Sequence, residues 1–159
     1  MKKSLIFFAL SGLLILGITS CSTTKVLPTN VSNNALEMAN AGNKAMVYLY
    51  RISSMGFAVG LDVDCNNKEL AKLFPKQFFL DVLDPGKYVF TGRGENEDDL
   101  VLTLEPNKKY YIEVSPKMGW VKARCKLELM ELSEGNKKVQ KCKLVGMNQA
   151  AKELLNYKE

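Results

Sequence analysis

Val121-Lys122-Ala123-Arg124-Cys125-Lys126-Leu127-Glu128-Leu129 alternates apolar and charged residues without a break. Successive side chains of a β-strand point to opposite faces, so a strict period of two marks a strand with one face in a core and the other in water. Val121, Ala123, Cys125, Leu127 and Leu129 take the inner face, and Lys122, Arg124, Lys126 and Glu128 the outer one. Upstream the same period recurs. Val47, Leu49 and Arg51 alternate with Met46, Tyr48, Tyr50 and Ile52, and Val59, Leu61, Val63 and Cys65 oppose Asp62 and Asp64. Phe78, Leu80 and Val82 follow, then Tyr88 and Phe90, then Leu100, Leu102 and Leu104, then Tyr110, Ile112 and Val114. Asn66-Asn67, Asp84-Pro85-Gly86 and Glu105-Pro106-Asn107 divide these runs with turn chemistry. Short alternating runs between such turns predict an all-β fold, an antiparallel sandwich of about seven or eight strands.

Downstream, a last strand near Val139–Val145 is expected to pair with the Val121–Glu131 strand across the loop Ser133-Glu134-Gly135-Asn136. The period then changes. Asn148 is placed to cap a short C-terminal helix whose Ala151, Leu154 and Leu155 form one stripe, with Met147 ahead of them.

The amino-terminal end has a different logic. Lys2 and Lys3 precede an apolar run from Leu5 to Ile18, and Thr19 and Ser20 lead directly into Cys21. A charged end, an apolar segment and a small-residue cleavage site make up a secretory signal. Ile18-Thr19-Ser20-Cys21 resembles the lipobox of bacterial lipoproteins, an aliphatic residue and two small ones before cysteine. That resemblance implies removal of residues 1–20, a thioether-linked diacylglycerol on Cys21 and an N-acyl chain such as palmitate. The run is too short and too interrupted by Gly12 and Gly17 for a spanning helix of about 20 apolar residues. Ser22 rather than an aspartate after the cysteine favours the outer over the inner membrane under the sorting rule of enteric bacteria. Residues 21–43 are rich in Ser, Thr and Asn and read as a lipidated cysteine with a flexible tether, about 25 Å in mean length. Residues 44–159 are then the sandwich domain with its terminal helix.

Composition narrows the chemistry. With residues 1–20 removed, the formal charge falls from +5 to +3, because Lys2 and Lys3 leave and no acid does. The chain contains no histidine. Ser-His-Asp and Cys-His nucleophile pairs, histidine acid–base catalysis and most catalytic zinc sites therefore drop out. Neither glycine-rich phosphate-binding motif is present. We expect no enzyme, no catalytic residues, no cofactor and no resident metal; a carboxylate- or lysine-based enzyme is the remaining rival.

Several constellations stand out. Asp62-x-Asp64-x-Asn66 begins like a calcium loop, but Asn67 and Leu73 stand where the glycine and the bidentate glutamate belong. Asn66-Asn67 reads better as a hairpin turn. Glu95-Asn96-Glu97-Asp98-Asp99 reads as a solvated acidic loop. Met55 and Phe57 in one loop, and Met118 and Trp120 in another, form an apolar interaction patch at one end of the sandwich or plug the end of its core. Lys122, Arg124 and Lys126 on one strand, with Lys141 and Lys143 on the next, form a basic face. It is either a solvated, charge-protected edge or a contact for anionic lipid or another anionic envelope polymer.

The order of these motifs carries a family resemblance. Lys44-Ala45-Met46-Val47-Tyr48-Leu49-Tyr50-Arg51 is similar to the opening of a group of small bacterial lipoproteins, domain-of-unknown-function family 2846. The likeness continues through Leu61-Asp62-Val63-Asp64, Leu70–Leu73, Asp84-Pro85-Gly86-Lys87-Tyr88 and Asn107-Lys108-Lys109-Tyr110-Tyr111, covering about residues 44–132. The chain departs from the family at Cys65-Asn66-Asn67, where a glycine is usual. The resemblance implies a prealbumin-like or carboxypeptidase-regulatory-like sandwich on an envelope lipoprotein and supplies no activity.

Export to an oxidising compartment suggests a disulfide among the three cysteines left after Cys21. Cys125 with Cys142 is the pairing a hairpin would favour, with Cys65 able to replace either. The expected function is that of a lipid-anchored cell-envelope protein displaying a non-catalytic binding or structural module. Its alternative is a subunit of a larger envelope assembly. The expected partners are the membrane through Cys21 and an envelope protein or anionic polymer, not nucleic acid.

Overall fold

The computed structural model describes residues 25–158. Nine strands run in chain order as β1 (Ala45–Arg51), β2 (Leu61–Cys65), β3 (Lys68–Leu73), β4 (Gln77–Leu83), β5 (Gly86–Arg93), β6 (Glu97–Leu104), β7 (Lys109–Lys117), β8 (Arg124–Met130) and β9 (Lys143–Met147). Three helices join them: α1 (Thr29–Glu37), α2 (Leu132–Val139) and α3 (Gln149–Leu154). One sheet has the order β8-β7-β1-β4-β9 and the other β3-β2-β5-β6. They face each other as a β-sandwich. Asn66 and Asn67 both have positive φ, 49° and 62°, as a type I′ hairpin turn between β2 and β3 demands.

Strand β1 shows how the layers are built. All seven of its residues are buried. Ala45, Val47 and Leu49 enter the core between the sheets with Leu61, Val63, Phe90, Ile112, Val114 and Leu127. Met46, Tyr48 and Tyr50 face the other way, into a second core with Phe78, Leu80, Tyr111 and residues of all three helices. The five-stranded sheet is thus covered on both faces, and α3 packs where expected: the Asn148 side chain accepts a hydrogen bond from the Ala151 N–H at 2.9 Å. Ala151 and Met147 are buried, whereas Leu154 is exposed.

The structure corrects three expectations. The first is the tether. The Leu27 N–H bonds the Leu144 carbonyl at 2.8 Å, and α1 buries Val31 and Ala35, one helical turn apart. Its Ala35 carbonyl accepts from the Tyr48 hydroxyl at 2.8 Å. From Leu27 onward the supposed spacer belongs to the domain; residues 21–24 lie outside the described residues. The second is the terminal hairpin. Ser133–Asn136 lies in α2, where Gly135 packs directly on the Tyr111 ring, an approach that a β-carbon would block. After α2, β9 crosses to the opposite edge and pairs in parallel with β4. Because β1 also pairs in parallel with β7, the five-stranded sheet is mixed rather than wholly antiparallel.

The third correction concerns the disulfide. Cys125 lies in the inter-sheet core and Cys142 in the helix-side core, on opposite faces of the same sheet. Strands β8 and β9 are its two edges, four strand spacings or about 19 Å apart. A bridge needs α-carbons within about 7 Å, so this pairing is excluded. Cys65, Cys125 and Cys142 are all free thiols.

Candidate binding end of the sandwich

The parallel pairing of β1 with β7 brings the ends of both strands to one pole, with the starts of β2, β4, β6, β8 and β9. The β1–β2 loop (residues 52–60) and the β7–β8 loop (residues 118–123) therefore emerge side by side. They line a single open cavity of about 570 Å³. Met55, Val59, Pro116, Met118 and Val121 give it apolar walls, and Asp62, Arg93, Lys117 and Lys122 supply its charges.

Arg51 shapes the first loop. Its side chain closes the end of the inter-sheet core and has no exposed surface. All five guanidinium N–H groups donate to backbone carbonyls. Nη1 reaches Val59 at 2.6 Å and Leu73 at 3.2 Å, Nη2 reaches Met55 at 2.6 Å and Gly56 at 3.1 Å, and Nε reaches Ser53 at 3.3 Å. Four of these five acceptors belong to the loop, so a buried cation organises an otherwise exposed segment.

Glu95 shapes the second loop. Its Oε1 accepts from the Trp120 N–H at 3.1 Å, and its Oε2 from the Val121 N–H at 2.7 Å and the Lys122 N–H at 3.0 Å. Arg124 lies 3.5 Å away. The backbone donors, Val121 foremost, pull the Glu95 carboxyl down to about 2. Asn96 and Asp98 continue this pattern, whereas Glu97 and Asp99 stay exposed, so the acidic segment is solvated only in part. Asn96 exchanges two hydrogen bonds with the Cys125 backbone, and Asp98 accepts from the Leu127 N–H at 2.7 Å. Side chains from the edge of one sheet thus satisfy the free backbone edge of β8 in the other, closing the sandwich at that corner. Gly92 and Gly94 permit the approach: a β-carbon on Gly92 would lie 2.6 Å from the Cys125 sulfur, and one on Gly94 2.6 Å from the Ala123 carbonyl oxygen.

The four residues of the expected apolar patch do come to one end. Met55 and Met118 line the cavity, while Phe57 and Trp120 stand out on the same loops with 78 % and 93 % of their surfaces exposed. None of the four plugs the core. Val59 and Val121, which alternation assigned to inward strand faces, are exposed beside them, because each precedes its strand. The continuous basic face does not form. Arg124 is engaged with Glu95, Lys126 lies 3.6 Å from Glu128 on β8, and Lys143 begins β9 at the opposite edge of the sheet, with Lys141 in the turn before it. Lys122 joins the cavity wall instead. Asp62 pairs with Lys72 at 3.1 Å, and Asp64 with Arg93, which also meets Glu97 at 2.8 Å. Cys21 lies outside the described residues. Arg51 and Arg93 were not anticipated as site residues. The signal for Arg51 was an arginine on the apolar face of a strand, a position that only a fully bonded guanidinium tolerates.

The chain is similar to an uncharacterized protein of Haemophilus influenzae, with 27 % identity over 127 residues, 78 % of this chain and 75 % of that protein. No family model matches the chain.

Proposed function

We propose that this chain is a bacterial cell-envelope lipoprotein, acylated on Cys21, whose β-sandwich is a non-catalytic binding or structural module acting through its loop-bearing end. The observation that carries the reading is the run from Lys2 to Cys21, in which charge, apolar segment and lipobox follow in order. The resemblance of its motif order to the lipoproteins of domain-of-unknown-function family 2846 supports it. So does the character of the cavity. Its walls are mostly apolar, and two of its charged groups, Asp62 and Arg93, are engaged with neighbours. That composition suits capture of an apolar or amphipathic surface better than bond-breaking. Ser22 rather than an aspartate after the cysteine favours the outer over the inner membrane under the enteric sorting rule. Among the described residues no helix is long and apolar enough to cross a membrane, and several acyl chains together would give stable attachment.

Labelled palmitate fed to cells expressing the full chain tests the reading. The wild type should incorporate label and lose residues 1–20. Cys21→Ala should incorporate none and accumulate as precursor. Equal labelling of both forms, or none of either, would overturn the assignment.

A further inference from the structure

The described chain begins at Lys25, four residues beyond Cys21, and is fixed to β9 by the Leu27 N–H. Four residues reach at most about 14 Å, whereas the seven-residue strands of the sandwich are themselves about 23 Å long. A domain tied this closely to acyl chains rests against the bilayer, and one of its surfaces must meet lipid. The distribution of exposed side chains selects which. Of the eleven large hydrophobic residues exposed among the described residues, six cluster at the loop-bearing end: Met55, Phe57, Val59, Met118, Trp120 and Val121.

Charge points the same way. Lys76, Lys117, Lys122, Lys141 and Lys143 are exposed at this end, and none of the five enters an ion pair among the described residues. The nearby carboxylates are already matched: Asp62 by Lys72, Glu97 by Arg93, and Glu95 by Arg124 and three N–H groups. The end is therefore an apolar tip with uncompensated positive charge around it. The Glu95 clamp matters here, because N–H groups without partners are costly at a lipid boundary, and those of Trp120, Val121 and Lys122 all have one.

We propose that this end docks on the anionic phospholipid surface of the membrane that holds the chain. Trp120, Met118 and Phe57 enter the boundary between head groups and acyl chains, where indole rings are favoured, and the lysines contact lipid phosphates. The proposal takes its distances from the Cys21 anchor and so rests on the reading above. The apolar loops and the lysines are independent of it.

Trp120 is the only tryptophan in the chain, so its emission reports on this loop alone. The full chain, with its acylation verified by mass, is reconstituted into phosphatidylcholine vesicles with or without phosphatidylglycerol, some carrying brominated acyl chains. Docking predicts a blue shift and bromine quenching of Trp120 in the anionic vesicles, both weaker in the zwitterionic ones. Lys117→Gln combined with Lys122→Gln should lower the docked-to-undocked ratio about 30-fold while leaving the far-ultraviolet spectrum unchanged. Water-like, unquenched emission in anionic vesicles overturns the proposal. So does quenching that ignores both lipid charge and the lysine substitutions, or that appears only when envelope protein is added. A chain found without acyl groups would refute the functional reading alone, since its co-flotation with anionic vesicles would still report docking.

Discussion

Arg51→Met removes every donor from the hub of the β1–β2 loop while keeping most of the side-chain volume. Five carbonyls lose their partner: those of Ser53, Met55, Gly56, Val59 and Leu73. The Leu73 contact is fully buried, so that carbonyl is stranded, at a cost of about 1–3 kcal/mol. The other four are partly buried and can turn toward water, losing about half of a charged bond's ordinary net value of about 1.5–3 kcal/mol each. Against this stands the burial of the guanidinium, which costs several kcal/mol in the wild type and is relieved in the variant. The balance is a loss of about 3 kcal/mol, or about 12 °C in Tm for a domain of this size. Urea titration followed by circular dichroism measures the first quantity, and protease cleavage within residues 52–60 measures the accompanying release of the loop. Arg51→Lys should fall between, since an ammonium offers three donors to the guanidinium's five. A variant within about 0.5 kcal/mol of wild type, with residues 52–60 equally protected, would refute the hub, because that range is ordinary for surface substitutions.

Three further outcomes follow from buried or clamped groups. Asp81 on β4 is 2 % exposed, and burial pushes its carboxyl up from 3.8 to about 6, so the native state favours its protonated form and loses stability as pH rises through that window. Asp81→Asn should abolish that slope and raise stability at neutral pH by up to about 3 kcal/mol; urea midpoints that keep the same pH dependence would refute it. Glu95 behaves oppositely. Its depressed carboxyl supports the β7–β8 loop above 4.5 and should release it as pH falls toward about 2, with amide exchange speeding at Trp120, Val121 and Lys122, and Glu95→Gln should speed that exchange already at neutral pH. Finally, alkylation without reductant should find Cys65, Cys125 and Cys142 all as thiols, slow to react while folded because burial pushes Cys125 and Cys142 to about 12; a linked Cys125–Cys142 peptide would contradict the two-core arrangement.

Most of the strands were legible because their signals are local. Alternation in Val47–Arg51 and Cys125–Leu127, turn residues at Asn66-Asn67, and the cap at Asn148 each act within a few positions. What was hidden depends on distant partners. Helix α1 has Val31 and Ala35 as its buried apolar residues, beside a buried Ser32, in a polar segment, and it exists because Tyr48 and β9 receive it. Helix α2 contains Gly135 and Asn136, poor helix formers, and is held by the Tyr111 ring beneath it. The parallel partners of β1 and β9 come from across the chain, beyond what hairpin logic reaches. At the candidate site, Met55, Phe57, Met118 and Trp120 were legible as apolar residues in glycine-containing loops. The clamps made by Arg51 and Glu95 were not, since each side chain bonds backbone that only the folded topology brings within reach.

Intact-mass measurement of the mature chain from the cell envelope bears most directly on all of this. Anchoring requires an amino terminus at Cys21 carrying a diacylglyceryl thioether and an N-acyl chain, with residues 1–20 gone. An unmodified terminus, or one at any residue other than Cys21, would contradict it.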